Sequence, residues 1–196
     1  MAIYSTLIPS PLGDLLAIAS DDHLLMLEFA DSRELAEKLA RTSLRKEVSW
    51  AKRKTEDWWL EDLNPQSSVR HETGGQLLSQ GASKILSLAT TQLWEYFEWT
   101  RKQFDIPLRV DGTDFQKDAW KWLQAIPYGE TRSYGEQARM ISRDRAVRAI
   151  GGANHNNRIV IIIPCHRVIG ASGKLVGYGG GLPRKVWLLE HEKKYK

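Results

Sequence analysis

The chain's only cysteine, Cys165, stands in Ile163-Pro164-Cys165-His166-Arg167-Val168, with Arg158 a short way upstream. A single thiol cannot close an internal disulfide or build a cysteine-rich metal centre. It is either a small buried apolar residue or a nucleophile. Histidine follows at once and arginines flank the segment. A nearby cation or imidazole lowers a thiol's pKa from about 8.5 toward roughly 3.5–7.5 and populates the reactive thiolate. Free cysteines are also among the most often buried residues, so the inert reading stands beside the reactive one. The run Ile159-Val160-Ile161-Ile162-Ile163 is β-branched throughout. It predicts a buried strand whose end presents the thiol.

The elements before that run fall into two halves. Short apolar runs at residues 3–8, 15–19 and 24–29, separated by Pro9-Ser10-Pro11-Leu12-Gly13-Asp14 and Asp21-Asp22-His23, predict an antiparallel hairpin or meander. Ser32 can cap a helix running to about Leu44, with Leu35, Ala36, Leu39 and Ala40 on one face. Residues 45–80 hold no sustained period and read as an irregular insertion. A second helix spans about Ser83 to Lys102, carrying Ile85, Leu88, Ala89, Leu93, Tyr96 and Phe97. An extended exit, Asp105 to Arg109, leads to a boundary at Asp111-Gly112-Thr113. Residues 1–110 thus read as an α/β domain with a small antiparallel sheet, and 111–196 as a second domain.

That second domain is mostly helical. Thr113 or Asp114 caps a helix with Phe115, Ala119, Trp120 and Leu123 on one side, stopped by Pro127-Tyr128-Gly129. Ser133 caps a short helix to about Ile141, and a brief break leads to another, about Asp144 to Ala153. The pair has helix-turn-helix dimensions, a motif also common in proteins that never touch DNA. Its second helix carries Arg145, Arg148, Ala149, Gly151, Gly152 and Ala153. Each interior glycine costs about 1 kcal/mol, so the pair implies close approach of another surface. That surface is either the neighbouring strand or the DNA minor groove, about 6 Å wide and open only to small side chains.

Charge is divided unevenly between the halves. Residues 1–110 hold 13 Lys and Arg against 16 Asp and Glu, a net of −3; residues 111–196 hold 15 against 8, a net of +7. Clustered arginine is the electrostatic footprint of a nucleic-acid binder, or else a solvated surface. No apolar run approaches the roughly 18 residues of a membrane span. The first residues lack a secretion signal. A reducing compartment is therefore expected: cytoplasmic, with nucleoid association in a prokaryote or the nucleus in a eukaryote.

From about Gln92 to its end the chain resembles the alkylguanine-DNA alkyltransferase family, the methylated-DNA–protein-cysteine methyltransferases. The likeness rests on Ile126-Pro127-Tyr128-Gly129-Glu130-Thr131-Arg132-Ser133-Tyr134, Arg148-Ala149-Ile150-Gly151-Gly152-Ala153-Asn154 and Ile163-Pro164-Cys165-His166-Arg167-Val168-Ile169-Gly170. It continues through Gly177-Tyr178-Gly179-Gly180-Gly181-Leu182 and Lys185-Val186-Trp187-Leu188-Leu189-Glu190-His191-Glu192. Over the first 44 residues it is loose, chiefly Pro11-Leu12-Gly13.

The resemblance implies a winged-helix-like, helix-turn-helix catalytic domain that accepts an alkyl group from the 6-oxygen of guanine, and from the 4-oxygen of thymine, in double-stranded DNA. Buried in the duplex, that group is reached by base flipping. By the same resemblance Cys165 is the single-use nucleophile, His166 the base acting through a water, and Glu192 its orienter. Asn157 braces the active-site turn, and Tyr134 protonates the departing guanine. Arg148 fills the gap left in the base stack, with Gly135, Ala149, Gly152 and Arg143 on the DNA side. Tyr178, Gly179, Gly180, Lys185 and Val168 surround the flipped base. Arg167 is expected in a structural ion pair, and His191 is the rival imidazole. Arg158, Val160 and Gly179 depart from the family's usual residues, leaving Gly179-Gly180-Gly181 as a flexible triple. The expectation is a monomer needing no cofactor or metal and no membrane. An alkylated-base-binding module without transfer is the alternative; a helix-turn-helix regulator and a cysteine hydrolase fit less of the pattern.

Overall fold

The computed structural model describes residues 2–32, 35–40 and 83–196, with backbone alone at Ala36 and Ala40. The expected insertion at 45–80 and the helix end at 41–44 lie outside the described residues.

Three antiparallel strands, β1 (Tyr4–Ile8), β2 (Leu15–Ala19) and β3 (Leu24–Phe29), form a meander in chain order. Every residue of β2 and β3 is buried, because the period-two alternation of side chains feeds two cores. Leu16, Ile18 and Met26 pack with Leu35 and Leu39 of α1 (Leu35–Ala40). Leu15, Ala17 and Leu27 face Ala89, Leu93 and Tyr96 of α2 (Lys84–Phe97). Coverage on both faces explains why these strands read as unbroken apolar runs. Helix α2 stops short of Lys102: Trp99 takes a φ of 61°, and the amides of Thr100 and Arg101 both turn back to the Glu95 carbonyl.

The free edge of β3 is not left open. Its Leu24 amide donates to the Pro107 carbonyl at 2.8 Å, and the Arg109 amide returns to Leu24 at 3.0 Å. Further along, the Leu27 amide donates to Arg158 O at 2.8 Å, and the Val160 amide donates to Leu27 O at 2.9 Å. Pairing satisfies backbone groups that an exposed edge would present to solvent or other chains. It also welds the sheet to the segment leading into Cys165.

The C-terminal half is a helical domain. Helix α3 (Asp114–Gln124) opens on a capping box between Thr113 and Gln116, and α4 (Tyr134–Met140) on another between Ser133 and Glu136. Together with α5 (Val147–His155) they close on Ala119, Ala138, Ile150 and Ala153. Helix α5 runs later than the expected Asp144–Ala153. No side chain caps its start, and a turn closed by Ala146 N to Arg143 O at 2.7 Å feeds it instead. A parallel two-stranded ribbon, β4 (Arg132–Ser133) with β5 (Val168–Ile169), and the last helix, α6 (Leu182–Lys194), complete a two-domain α/β architecture.

One expectation is overturned at the centre of the molecule. Residues 159–163 are not a strand: Ile159 makes a single bridge to Leu27, and the chain then coils. The Ile162 amide donates to Val160 O at 2.8 Å around Ile161, whose φ is 70°, and the Cys165 amide donates to Ile163 O at 2.8 Å. A β-branched residue at positive φ is strained by about 1–3 kcal/mol, held here by its surroundings. Burial explains the apolar run: Ile159, Val160, Ile161, Ile162 and Ile163 fill the core between the halves. Cys165 opens a 3₁₀ turn, Cys165–Arg167, rather than ending a strand.

Candidate active site

Asn157, just past α5, ties the coil down. Its Oδ1 accepts from the Ile159 amide at 3.0 Å, while Nδ2 donates to Ile163 O at 2.8 Å and lies 3.2 Å from Cys165 Sγ. Asn156, the other asparagine there, donates instead to Gly152 O. Cys165 is 7% exposed, and burial pushes its thiol above the ordinary value, the Asn157 contact and the Lys38 and Lys185 charges opposing. The expected depression by neighbouring cations is therefore corrected. Arg167 is committed elsewhere, and desolvation of the sulfur outweighs the distant lysines.

Behind the thiol, His166 Nε2 lies 2.9 Å from Glu192 Oε1. Glu192 also accepts Arg167 Nε and Nη2 at 2.8 and 2.9 Å, the Tyr96 hydroxyl at 2.9 Å and the Gly129 amide at 3.1 Å. Burial alone would raise its carboxyl, but His166 and Arg167 reverse that and hold it well below the usual carboxylate range. A carboxylate can only accept, so His166 donates through Nε2. Its Nδ1 is buried without a hydrogen-bond partner among the described residues and keeps a free lone pair. Burial lowers the His166 pKa, with Glu192 opposing, and the ring stays neutral at pH 7. A raised thiol and a lowered imidazole rest as a neutral pair.

A cavity of about 410 Å³ opens onto the sulfur, within the usual range of small-ligand sites. Of the expected residues, Cys165, Tyr134, Arg148, Tyr178 and Gly179 line it, joined by Gly151 and Asn154 of α5. Tyr134 donates to Val176 O at 3.2 Å across the mouth. Arg148 is exposed beside that mouth. His166, Glu192 and Asn157 stand behind the sulfur, not on the wall. Lys185, fully buried, donates to Val168 O, Val176 O and Gly177 O at 2.6, 2.9 and 3.2 Å, fastening the wall from behind. Val168 and Gly180 are also buried and do not line the cavity.

On the outer face, Arg143, Ala149 and Gly152 are exposed and Gly135 is half-buried. Among the described residues, a Cβ built on Gly151 or Gly152 would meet no atom within 4 Å, and no described strand packs there to account for the glycine pair. Two of the three consecutive glycines have a local reason to be glycine. A Cβ on Gly180 would lie 2.6 Å from Phe29 Cδ2, and Gly181 sits at a φ of 89°. The rival imidazole, His191, is occupied: Trp99 Nε1 donates to its Nδ1 at 2.8 Å, and Nε2 faces Tyr96 O at 3.0 Å. Sequence reasoning missed Tyr96, whose helical spacing matches a core aromatic, and the Gly129 amide, which leaves no side-chain signal. Among the described residues no group of histidine, cysteine or carboxylate side chains could hold a metal ion.

Residues 3–110 match the family model described as 6-O-methylguanine DNA methyltransferase, ribonuclease-like domain, and residues 114–194 the model for the DNA binding domain of the same proteins. The chain belongs to the 6-O-methylguanine DNA methyltransferase family. Among curated members, it is 60% identical over 105 residues to the methylated-DNA–protein-cysteine methyltransferase of Mycobacterium tuberculosis H37Rv, covering 54% of this chain and 64% of that one. The archaeal member from Methanosarcina acetivorans is 55% identical over 104 residues, covering 53% and 67%. Thus the matched stretch spans less than two thirds of the mycobacterial relative. A solved member, the M. tuberculosis O6-methylguanine methyltransferase, superposes with a TM-score of 0.69 at 39% identity, covering 99% of this chain and 94% of that one. Its structure in complex with DNA gives a TM-score of 0.70 at 38% identity, covering 98% and 94%.

Proposed function

We propose that this methyltransferase-family chain repairs double-stranded DNA by moving a methyl or larger alkyl group from guanine O6, or thymine O4, to Cys165. The carrying observation is that Cys165 lines a cavity walled by the arginine-bearing helix α5, and that the next residue, His166, is hydrogen-bonded to the buried carboxylate of Glu192. Arg148 enters the base stack, the extruded nucleotide swings into the cavity, and Gly152 and Ala149 allow α5 to approach the minor groove. His166 Nδ1 takes the thiol proton, through a water, and Glu192 stabilises the imidazolium that forms. The thiolate attacks the alkyl carbon, the S–C bond forms as the C–O bond breaks, and the electron pair leaves on guanine. Tyr134 donates its hydroxyl proton to that anion. The thioether has no second nucleophile to release it, so each molecule acts once. The displacement itself calls for no cofactor, and we take the acting unit to be a monomer in the compartment that holds DNA. We draw the boundary between the domains at 110/111, within the extended stretch before α3.

Incubation with duplex carrying O6-methylguanine should add one methyl mass to the Cys165 peptide. Turnover over many equivalents would contradict single use. Cys165→Ser should lose transfer and keep lesion binding, which separates this reading from that of a binding module.

A further inference from the structure

Arg184, in the first turn of α6, reaches toward the N-terminal domain. Its guanidinium donates from Nε to Leu12 O at 2.9 Å, from Nη1 to Gly180 O at 3.1 Å, and from Nη2 to both oxygens of Asp31 at 2.8 Å. It also lies 4.1 Å over the ring of Phe29. That ring also abuts Gly180, where a Cβ would lie 2.6 Å from Phe29 Cδ2. Gly177, Tyr178 and Gly179, just before Gly180, form one wall of the cavity. The Gly180 end of the wall opposite α5 is thus held against the sheet by one planar fork that reaches three chain segments, while Lys185 holds the Val176–Gly177 end.

We propose that Arg184 is a positioning residue that sets the width of the cavity, and with it the size of alkyl group accepted at Cys165. This rests on the transfer reading above. A lysine could supply the charge but not the rigid fork that reaches Leu12, Gly180 and Asp31 together. Lys185 still anchors Val176 and Gly177 from behind, so release of the fork frees Gly180 from Phe29 and lets Tyr178 and Gly179 swing outward. A methylated guanine then loses its register with the sulfur. A benzylated guanine fills part of the added space and keeps more of it.

The test measures single-turnover transfer from duplexes carrying O6-methylguanine or O6-benzylguanine, for the full chain, Arg184→Ala and Arg184→Lys. A misplacement of about 1 Å costs up to about 100-fold in rate, so methyl transfer should fall by about 10- to 100-fold and benzyl transfer by distinctly less. Arg184→Lys should follow alanine, and amide exchange should quicken at 178–181 but not in α5. Should Arg184→Ala fail to fold, Asp31→Ala removes two of the same contacts at an exposed residue and should shift the ratio in the same direction. Equal loss on both substrates, an unchanged ratio, or rescue by lysine would overturn the proposal and leave the transfer reading standing. A full-length protein that transfers neither group would overturn both.

Discussion

At the scale of single residues, burial favours keeping the proton on the sulfur of Cys165. Burial raises the Cys165 thiol and lowers the His166 imidazole, so the resting pair carries no charge. Cys165 in the DNA-free protein should therefore react with iodoacetamide more slowly at pH 7 than a free thiol. Its apparent pKa should lie above about 8.5, the unperturbed value; rapid labelling with an apparent pKa below 7 would contradict this. Glu192 is the other pole of the arrangement. It accepts five hydrogen bonds, one of them from Tyr96, which comes from a helix of the first domain. A hydrogen bond to a charged group contributes about 1.5–3 kcal/mol, so Tyr96→Phe should lower urea stability by roughly that amount. Transfer should slow with it, since Glu192 would orient His166 less firmly. A variant equal to the parent in both measurements would remove Tyr96 from the site.

At the scale of elements, α5 gives up helix stability for access. An alanine Cβ at either of its interior glycines would meet no described atom within 4 Å. Gly152→Ala should therefore raise stability by up to about 1 kcal/mol and weaken binding to duplex DNA. Calorimetry and a binding titration check the two signs, and tighter binding would refute the minor-groove reading. Arg148→Ala should weaken lesion engagement while changing the salt dependence of binding little, because a stacking contact releases no phosphate counterions. A large drop in the salt slope would make Arg148 a phosphate anchor. The strands of the meander, the helix cap at Ser133 and the glycine pair were legible in the sequence, since local chemistry and periodicity determine them. The coil at 159–163 was not, because a run buried on all sides has the same composition in a strand or a turn. Tyr96 was hidden for a related reason: its ring satisfies the core pattern and only its hydroxyl serves the site. The thiol's direction of shift also escaped, since sequence reveals neighbouring cations but not the desolvation that outweighs them.

At the scale of the whole molecule, the two domains are held together by the same groups that build the site, so stability and function share a pH range. The His166 pKa is depressed by burial in the folded state. As pH falls below about 6.5, its unperturbed value, the unfolded chain takes up that proton first and stability declines. Glu192 is ionised well below the usual range in the folded state. The unfolded chain therefore binds a second proton preferentially as pH passes about 4.3, and the loss deepens. On the alkaline side the sign reverses. The buried thiol of Cys165 is raised, so above about 8.5 the unfolded chain releases a proton that the folded chain retains, and stability falls again. Urea midpoints should trace a plateau between roughly pH 6.5 and 8.5 with a decline on each side. Glu192→Gln should weaken the fold on the plateau and flatten the limb below pH 4.3, while Cys165→Ser should flatten only the alkaline limb. Were stability to rise as pH fell from 7 to 5, the imidazole would be charged in the folded protein. It would then be unable to take the proton that the sulfur must lose.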